Sequence, residues 1–433
     1  MKRLVLFFAG LMLALSVASA ADRDQILKVY NWADYIDEDL IDEFEQWYQE
    51  QTGKSVEVVY QLFDINEIML SKIEMGHEDF DVVCPSDYII ERMLRNDLLL
   101  PIDQDFGQTP NYITCVSPFI RENFNRIDGS GKNANDYAVG YMWGTTGLLY
   151  NSRYVSEEEA SSWDVLCNPK FAGKIFIKDA FRDVYTTLLI ALNRDRIEAG
   201  EVSIHDLTLD SSPSSIALVE TYINSFKSNV SGWEADFGKE RMTQEKAWLN
   251  FTWSGDAQWA IEEAAEMGVP LAYSVPKEGA VIWFDGWVIP KYAKNVDAAR
   301  YFINFMCRPD NAIRNMDAIG YVSAVGGSEV LEAISDADEY APIDATYFFG
   351  EGAEAVCINP VQYPSTEVIA RCGMLHDSGD RTELLLAMWN RVKGDNATSL
   401  TYVILIVAVL LLLSVSVYLR RSKKRRSRRR SRR

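Results

Sequence analysis

An alternation of strand and helix patterns near the start of the folded body constrains the fold more than any other feature of this sequence. LKVYNW at 27–32, SVEVVYQL at 55–62 and FDVVCPS at 80–86 predict strands, because they are rich in β-branched and aromatic residues. Between them, 37–51 and 66–75 carry apolar residues at helical spacing. This order predicts an α/β fold with a mostly parallel sheet and helices on both faces. We expect ligand-binding residues beyond the carboxyl ends of its strands.

The same alternation returns in the middle of the chain. Strand patterns at 147–151 (GLLYN) and 174–179 (KIFIKD) precede a predicted helix from Arg182 to Leu192. Residues 210–228 and 243–266 predict two further helices, the second interrupted by the sequence NFTWSGDAQ. A chain of 433 residues is long enough for two domains, each with its own core.

Both ends of the chain differ from this body. Residues 1–20 place Lys2 and Arg3 before a short apolar run that ends in Ala-Ser-Ala, which predicts a secretory signal, with a membrane anchor as the alternative. Residues 400–419 contain no charged side chain and predict a transmembrane helix. Eleven of the fourteen residues 420–433 are Lys or Arg, which predicts a cytoplasmic tail. We therefore expect a body on the periplasmic, extracytoplasmic face of the plasma membrane, anchored by its C-terminal helix.

The charge balance argues against nucleic acid as a partner. The sequence has 63 Asp and Glu against 43 Lys and Arg, for a net charge of −20, although its tail is strongly basic. An acidic body either attracts cationic ligands or serves solubility alone. The six cysteines are widely spaced without a CxxC pair, and spacing does not reveal their pairing.

The sequence offers few residues for catalysis. His77, His205 and His376 are far apart, and the chain has neither an HExxH nor a GxSxG motif. GSGK at 129–132 lacks the first glycine and the following Ser or Thr of a phosphate-binding loop. Scattered carboxylates leave a glycosidase-like pair open as an alternative. We expect no enzymatic activity, no metal and no cofactor.

Carboxylates recur next to aromatic residues at the ends of predicted strands. The pattern occurs in WADY at 32–35, SDY at 86–88, RDVY at 182–185, WSGD at 253–256 and WFD at 283–285. Carboxylates accept charge-assisted hydrogen bonds from ammonium groups, aromatic faces attract cations, and apolar walls bury methylene groups. The pattern therefore suits a ligand with ammonium ends and an aliphatic middle. Asp285 is the clearest example, because a carboxylate in a buried strand needs a partner.

A series of motifs in chain order resembles the spermidine/putrescine-binding proteins that serve ABC importers. The motifs, between about residues 27 and 394, are YNWADYI, FDVVCPSDYIIERM, GYMWGTTGLLYN, SWDVLCNPKFAGKI, DAFRDVY, TWSGDA, VPKEGAVIWFDGWVIPKYAKN and AIGYVSA. The resemblance implies a periplasmic-binding-protein type II fold, in which two α/β lobes close on a polyamine. It implies residues 21–141 and 285–325 for lobe 1, and 142–284 and 326–394 for lobe 2.

Carried over residue by residue, the resemblance implies a ligand site between the lobes. Its aromatic contacts would be Trp32, Tyr35, Tyr88, Trp253, Trp283 and Tyr321. Its acidic contacts would be Asp34, Asp183 and Asp285, with Ser86 as a hydrogen-bonding contact. Asp87 and Asp256, from the strand-end pattern, complete the predicted set.

Departures from the family pattern bear on the length of the ligand. Where spermidine-preferring members carry an aspartate and a glutamine, this chain has Ala180 and Leu375, and Asp256 replaces a small residue; these features resemble the putrescine-binding branch. Tyr88 and Trp283 instead resemble the spermidine branch. We expect a polyamine-binding protein that favours putrescine over spermidine and delivers it to the membrane subunits of an ABC permease. A membrane-tethered polyamine sensor and a carboxylate-dependent hydrolase are the alternatives.

Overall fold

The computed structural model describes residues 22–235 and 237–394. The strands are β1 Ile26–Trp32, β2 Glu57–Phe63, β3 Val82–Val83, β4 Leu99–Leu100, β5 Ala138–Asn151, β6 Ile175–Lys178, β7 Val230–Glu234, β8 Leu249–Trp253, β9 Leu271–Ser274, β10 Ala280–Pro290, β11 Val322–Ser323 and β12 Cys372–Met374. The α-helices are α1 Asp39–Thr52, α2 Asn66–Glu74, α3 Asp87–Arg95, α4 Pro118–Phe124, α5 Glu157–Ala160, α6 Phe181–Leu192, α7 Arg194–Glu198, α8 Ile204–Leu209, α9 Pro213–Phe226, α10 Gly238–Thr243, α11 Ser254–Glu266, α12 Val296–Met306, α13 Pro309–Ile319, α14 Ser328–Ile334, α15 Thr346–Phe349, α16 Thr366–Ala370 and α17 Thr382–Lys393. Short 3₁₀ helices lie at Arg23–Gln25, Tyr112–Cys115, Ala134–Asp136, Trp163–Cys167, Pro169–Phe171, Lys227–Asn229 and Gly379–Arg381.

The predicted strand–helix alternation forms the first parallel part of the sheet. β1 pairs in parallel with β2 on one side and with β3 on the other. Helix α1 lies between β1 and β2 in sequence and buries Leu40, Phe44 and Tyr48, which are spaced at four residues along one face. The helix ends at Gly53, whose φ of 71° is the left-handed conformation that glycine adopts without strain.

Two long, fully buried strands join the lobes. β5 has 14 residues and β10 has 11, and they pair antiparallel from Ile282 opposite Thr145 to Val288 opposite Ala138. The sheet runs in the order β2-β1-β3-β10-β5-β8-β6-β7, so β10 borders one half and β5 the other. The register shifts between Asp285 and Gly286, which is an irregularity that bends a strand.

In the described part of the chain, most buried apolar residues form two large clusters, one in each half of the sheet. The first includes Val29 and Trp143, and the second includes Leu188 and Phe251. Phe348 packs on Trp143, and both belong to the first cluster with Val29, although the predicted boundaries assign both to lobe 2. The boundaries remain a proposal, and membership of this cluster favours moving the segments around Trp143 and Phe348 to lobe 1. All six cysteines lie within the described residues and are free thiols.

The helix predicted over 243–266, with its interruption at 250–258, is wrong before the interruption, and the interruption itself contains most of a strand. Helix α10 ends at Thr243, a strand (β8) follows, and α11 starts only at Ser254. β8 lies between β5 and β6 in the interior of the sheet, and four of its five residues are buried. A strand that is buried on both faces lacks the polar alternation that distinguishes a strand from a helix in sequence.

The fold class predicted from the sequence needs a correction at the C-terminus. The predicted transmembrane helix at 400–419, the tail at 420–433 and the signal at 1–20 lie outside the described residues. Between residues 22 and 394, with Asp236 left aside, no helix has both the length and the apolar character to cross a bilayer. Helices α1 and α9, with 14 residues each, would span about 21 Å against about 30 Å of hydrocarbon. Within the described residues the structure therefore supports a two-lobed α/β fold, and it does not support the spanning helix of the predicted fold class.

Candidate ligand-binding site between the lobes

A cavity of about 460 Å³ lies between the lobes, beside the carboxyl ends of several strands. Eleven of the twelve predicted site residues line it: Trp32, Asp34, Tyr35, Ser86, Tyr88, Asp183, Trp253, Asp256, Trp283, Asp285 and Tyr321. The strands β1, β2, β6 and β8 all end at this cavity with a lining residue. The strand-end pattern in the sequence therefore identified residues that the fold brings together. Their contact with a ligand stays a prediction.

Aromatic rings form the apolar walls of the cavity. The ring of Trp283 lies 5.7 Å from that of Tyr321 and 6.5 Å from that of Trp253, measured between centroids. The ring of Tyr321 packs directly against Gly255, where a Cβ atom would lie only 2.2 Å from the ring. Gly144 admits Trp283 in the same way, with 2.6 Å between its hypothetical Cβ and the indole. These two glycines therefore fix how closely the walls approach each other.

Asp285 lies at the middle of β10 and is buried. The hydroxyl of Tyr35 donates a 2.8 Å hydrogen bond to Oδ2 of Asp285. Its other oxygen, Oδ1, has no hydrogen-bond partner among the described residues. Burial raises the pKa of Asp285 to about 6; hydrogen bonding with the hydroxyls of Ser86 and Tyr35 opposes the rise, and the nearby Asp183 adds to it. The site therefore holds a carboxylate that is costly to ionise and has one oxygen free for a partner.

Asp183 is the second buried carboxylate, in the first turn of α6. The indole N–H of Trp253 donates a 3.0 Å hydrogen bond to its Oδ1. Burial raises the pKa of Asp183 to about 6, although the bond from Trp253 opposes the rise. Among the described residues, no Lys or Arg nitrogen lies within 4.0 Å of Asp183 or Asp285. Both carboxylates can therefore accept a cation that comes from outside the chain.

Asp256, in the first turn of α11, differs because it has an internal cation. The Nζ of Lys178 lies 2.5 Å from its Oδ2, and the hydroxyl of Tyr321 donates a 2.9 Å hydrogen bond to its Oδ1. The Nζ of Lys239 is 3.9 Å away. Burial alone would raise the pKa of Asp256, but the two lysines outweigh it and hold that pKa below the ordinary value. Because both oxygens of Asp256 already have partners, the structure does not support its predicted role as a ligand contact.

Asp87 is the predicted site residue that does not line the cavity. It is completely buried behind Tyr88 and accepts hydrogen bonds from the backbone N–H groups of Tyr88, at 2.7 Å, and Phe284, at 3.3 Å. Burial raises its pKa well above the ordinary value. Its position in the first turn of α3 points it at the neighbouring strand. The strand-end pattern does not reveal which of two adjacent residues faces inward.

Arg182 links the two halves of the cavity. Its Nε lies 3.2 Å from a carboxylate oxygen of Glu67, on α2, and its guanidinium covers the ring of Tyr88 at 4.5 Å. From the other side, it donates 3.0 Å hydrogen bonds to the hydroxyls of Ser378 and Thr382. Arg182 is therefore a buried side chain that contacts residues on both sides of the cavity.

Sequence reasoning missed several lining residues. They are Phe63, Glu67, Lys178, Arg182 and Lys239. Lys178 and Phe63 end the observed strands β6 and β2, each one residue from the end of a predicted strand, so a search of all strand ends would have found them. They were missed because the sequence pattern considered only carboxylates beside aromatic residues.

Two lobes that share crossing strands, with a polar and aromatic cavity enclosed between them, define a solute-binding protein of the two-lobed type. The sequence matches the family of bacterial extracellular solute-binding proteins over residues 39–342. The chain belongs to this family. Its members bind solutes and are not enzymes, which excludes the hydrolase alternative at the level of the family.

Individual relatives cover most of the chain. It is 31% identical over 329 residues to the putrescine-binding periplasmic protein PotF of Escherichia coli, covering 73% of this chain and 82% of PotF. It is 26% identical over 408 residues to the putrescine-binding periplasmic protein SpuD of Pseudomonas aeruginosa, covering 91% of this chain and 99% of SpuD. A solved structure of a spermidine/putrescine ABC transporter protein from Listeria monocytogenes superposes with a TM-score of 0.65 at 28% identity, covering 86% of this chain and 98% of that one.

Proposed function

We propose that this protein binds a polyamine in the cavity between its lobes, outside the cytoplasm, and delivers it to an ABC importer. PotF and SpuD, which are putrescine-binding proteins, and the spermidine/putrescine transporter structure named above support this ligand class. The observation that carries the proposal is Asp285, a buried carboxylate with a free oxygen, aromatic neighbours and no internal cation among the described residues. An ammonium group is the partner that this arrangement lacks.

The two ends of a diamine match the two unpaired carboxylates. One ammonium would bind Asp285 beside Tyr35, and the other would bind Asp183 beside Trp253. Each ammonium would neutralise a carboxylate that burial now disfavours, so binding would restore the ionised form. The methylene groups between the two ends would pack on the rings of Trp283 and Tyr321, at about 0.8 kcal/mol for each group buried.

A diamine of the putrescine class fits this cavity better than a triamine. Ala180 and Leu375 line the cavity without offering an acceptor, so a third ammonium beside them would be buried unpaired. Tyr88, whose likeness to the spermidine branch argued for a longer ligand, already has its ring covered by Arg182 and its hydroxyl bonded to Asn66. These occupied contacts favour putrescine over spermidine.

Isothermal titration of the purified protein with putrescine, cadaverine, spermidine and spermine tests this function. We expect one ligand per chain and a lower Kd for putrescine than for spermidine. The matched control is 1-aminobutane, which keeps the four-carbon stem but has one ammonium, and we expect it to bind at least tenfold more weakly than putrescine. Absence of binding by all four polyamines contradicts the proposed function. A spermidine affinity tenfold above that of putrescine contradicts the length preference only.

A further inference from the structure

Lys178 is a buried lysine at the wall of the cavity. It is the last residue of β6, and 2% of its side chain is exposed. Its Nζ lies 2.5 Å from Asp256, 3.7 Å from Glu234 and 4.4 Å from the ring centroid of Trp253. One lysine therefore makes contact with carboxylates and with an indole face, the two kinds of group that recognise cations in this cavity.

The position of Lys178 is fixed by the sheet. β6 lies between β7 and β8 with parallel pairing on both sides; Lys178 pairs with Glu234 of β7, and the three residues before it pair with β8 as well. The partners of Lys178 are held as well, because Asp256 also accepts from Tyr321 and Glu234 accepts from the backbone N–H of Gly238. The ammonium of Lys178 is consequently a permanent part of the site and does not depend on a ligand.

We infer that Lys178 determines ligand specificity, by supplying from the protein itself the ammonium that a triamine would otherwise place at Asp256. This inference rests on the proposed function and deepens it. With Asp256 occupied, Asp183 and Asp285 are the buried carboxylates left to bind a ligand. The number of open buried carboxylates in the cavity then equals the number of ammonium groups in a diamine.

A third ammonium would meet an unfavourable environment at this end of the cavity. It would lie near the positive charge of Lys178, with the carboxylate of Asp256 already neutralised and one face of Trp253 already covered. Lys239, whose Nζ is 3.9 Å from Asp256, adds a second positive charge on the same side. Like charges at short range disfavour each other, and a buried charge without a partner is strongly disfavoured.

The substitution Lys178→Met tests the inference, because it removes the ammonium and keeps most of the apolar stem. We expect the ratio of the spermidine Kd to the putrescine Kd, measured by calorimetric titration, to fall at least tenfold relative to the wild type. The double substitution Lys178→Met with Asp256→Asn removes the vacated acid too, and we expect it to return the ratio to within threefold of the wild type. Lys174→Met is the matched control, since Lys174 also covers a tryptophan ring, that of Trp248 at 5.0 Å, but does not line the cavity.

The possible outcomes separate this inference from the function on which it rests. If the wild type binds putrescine and Lys178→Met leaves the ratio unchanged, the inference is wrong and the function stands. If the wild type binds no polyamine, both fail together. Should Lys178→Met not fold, as judged by its thermal unfolding, Lys178→Gln gives the same test with a polar side chain that can still donate a hydrogen bond to Asp256. An unchanged ratio in a folded Lys178→Gln protein also overturns the inference.

Discussion

The hydroxyl of Tyr35 donates a 2.8 Å hydrogen bond to Asp285, and this bond connects the loop after β1 with the centre of β10. Tyr35 is itself held in place, because the hydroxyl of Tyr141 donates a 2.6 Å hydrogen bond to its backbone carbonyl. The bond holds Oδ2 of the Asp285 carboxylate, while Oδ1 has no hydrogen-bond partner among the described residues. A ligand thus meets a carboxylate that is already oriented, which reduces the entropy lost on binding.

The first prediction concerns the charge of Asp285. Asp285→Asn keeps the size of the side chain but removes the charge, and breaking a desolvated charge pair costs about 2 to 5 kcal/mol. We expect the putrescine Kd, measured by titration calorimetry, to rise more than tenfold. Tyr35→Phe is the companion variant; it removes one neutral donor, worth about 0.5 to 1.5 kcal/mol, and we expect a smaller rise. A Kd for Asp285→Asn within twofold of the wild type would exclude Asp285 from the site.

The second prediction concerns the protonation of the buried carboxylates Asp183 and Asp285. The pKa values of Asp183 and Asp285 are both raised to about 6, so near pH 6 the empty site is partly protonated. An ammonium favours the ionised carboxylates, and binding at this pH must release protons. We expect weaker putrescine binding at pH 5 than at pH 7.5. At pH 6, the binding enthalpy should differ between two buffers of different ionisation enthalpy. An identical enthalpy in both buffers would contradict this prediction.

The third prediction concerns the stability of the ligand-free protein. The ordinary pKa of an aspartate is 3.8, so the folded state, with Asp285 near 6, binds its proton more tightly than the unfolded state. The ionised form therefore destabilises the fold above pH 6, and this destabilisation disappears as the pH falls toward 4. We expect Asp285→Asn to raise the free energy of unfolding at pH 7.5 by up to about 3 kcal/mol. Denaturant unfolding at pH 7.5 and pH 4.5 checks this, with a smaller difference from the wild type expected at pH 4.5.

The fourth prediction concerns the contact of Arg182 with Glu67, which bridges the lobes. Glu67→Gln removes the charge of one partner, so we expect the closed form to open more readily and bound putrescine to dissociate at least threefold faster. Stopped-flow tryptophan fluorescence measures this rate. Glu74→Gln is the matched control, because Glu74 lies on the same helix and pairs with Arg92 within lobe 1, at 3.6 Å. Equal rates for the two variants would show that Arg182 does not hold the lobes together.

Much of the candidate site could be predicted from the sequence, because strand ends in an α/β sheet converge in space. Trp32 and Trp253 each end a strand, and the fold brings them to one cavity as the pattern indicated. The charge state of the site could not be predicted this way. The partner of Asp256 is Lys178, 78 residues away in sequence. A lysine at a strand end ordinarily indicates a solvent-exposed position, so the sequence gives no sign of this buried pair. Which carboxylates remain open depends on such long-range pairs, and periodicity contains no information about them.

The fold could be predicted from the sequence to a similar extent. The parallel unit formed by β1, β2 and β3 follows from local patterns, whereas most of β8 was predicted only as an interruption in a helix, because a strand buried on both sides lacks polar alternation. Likewise, Phe348 comes after the strands that define lobe 2, yet it packs on Trp143 in the other core. A short apolar segment in a sequence does not indicate which of two cores it joins, since both offer the same kind of surface.

The shift in register beside Asp285 lies on the two strands, β5 and β10, that pass between the lobes. A cation bound to Asp285 would therefore act directly on a strand that joins the two lobes. We expect a substitution at this position to change the relative placement of the lobes together with the affinity for the cation.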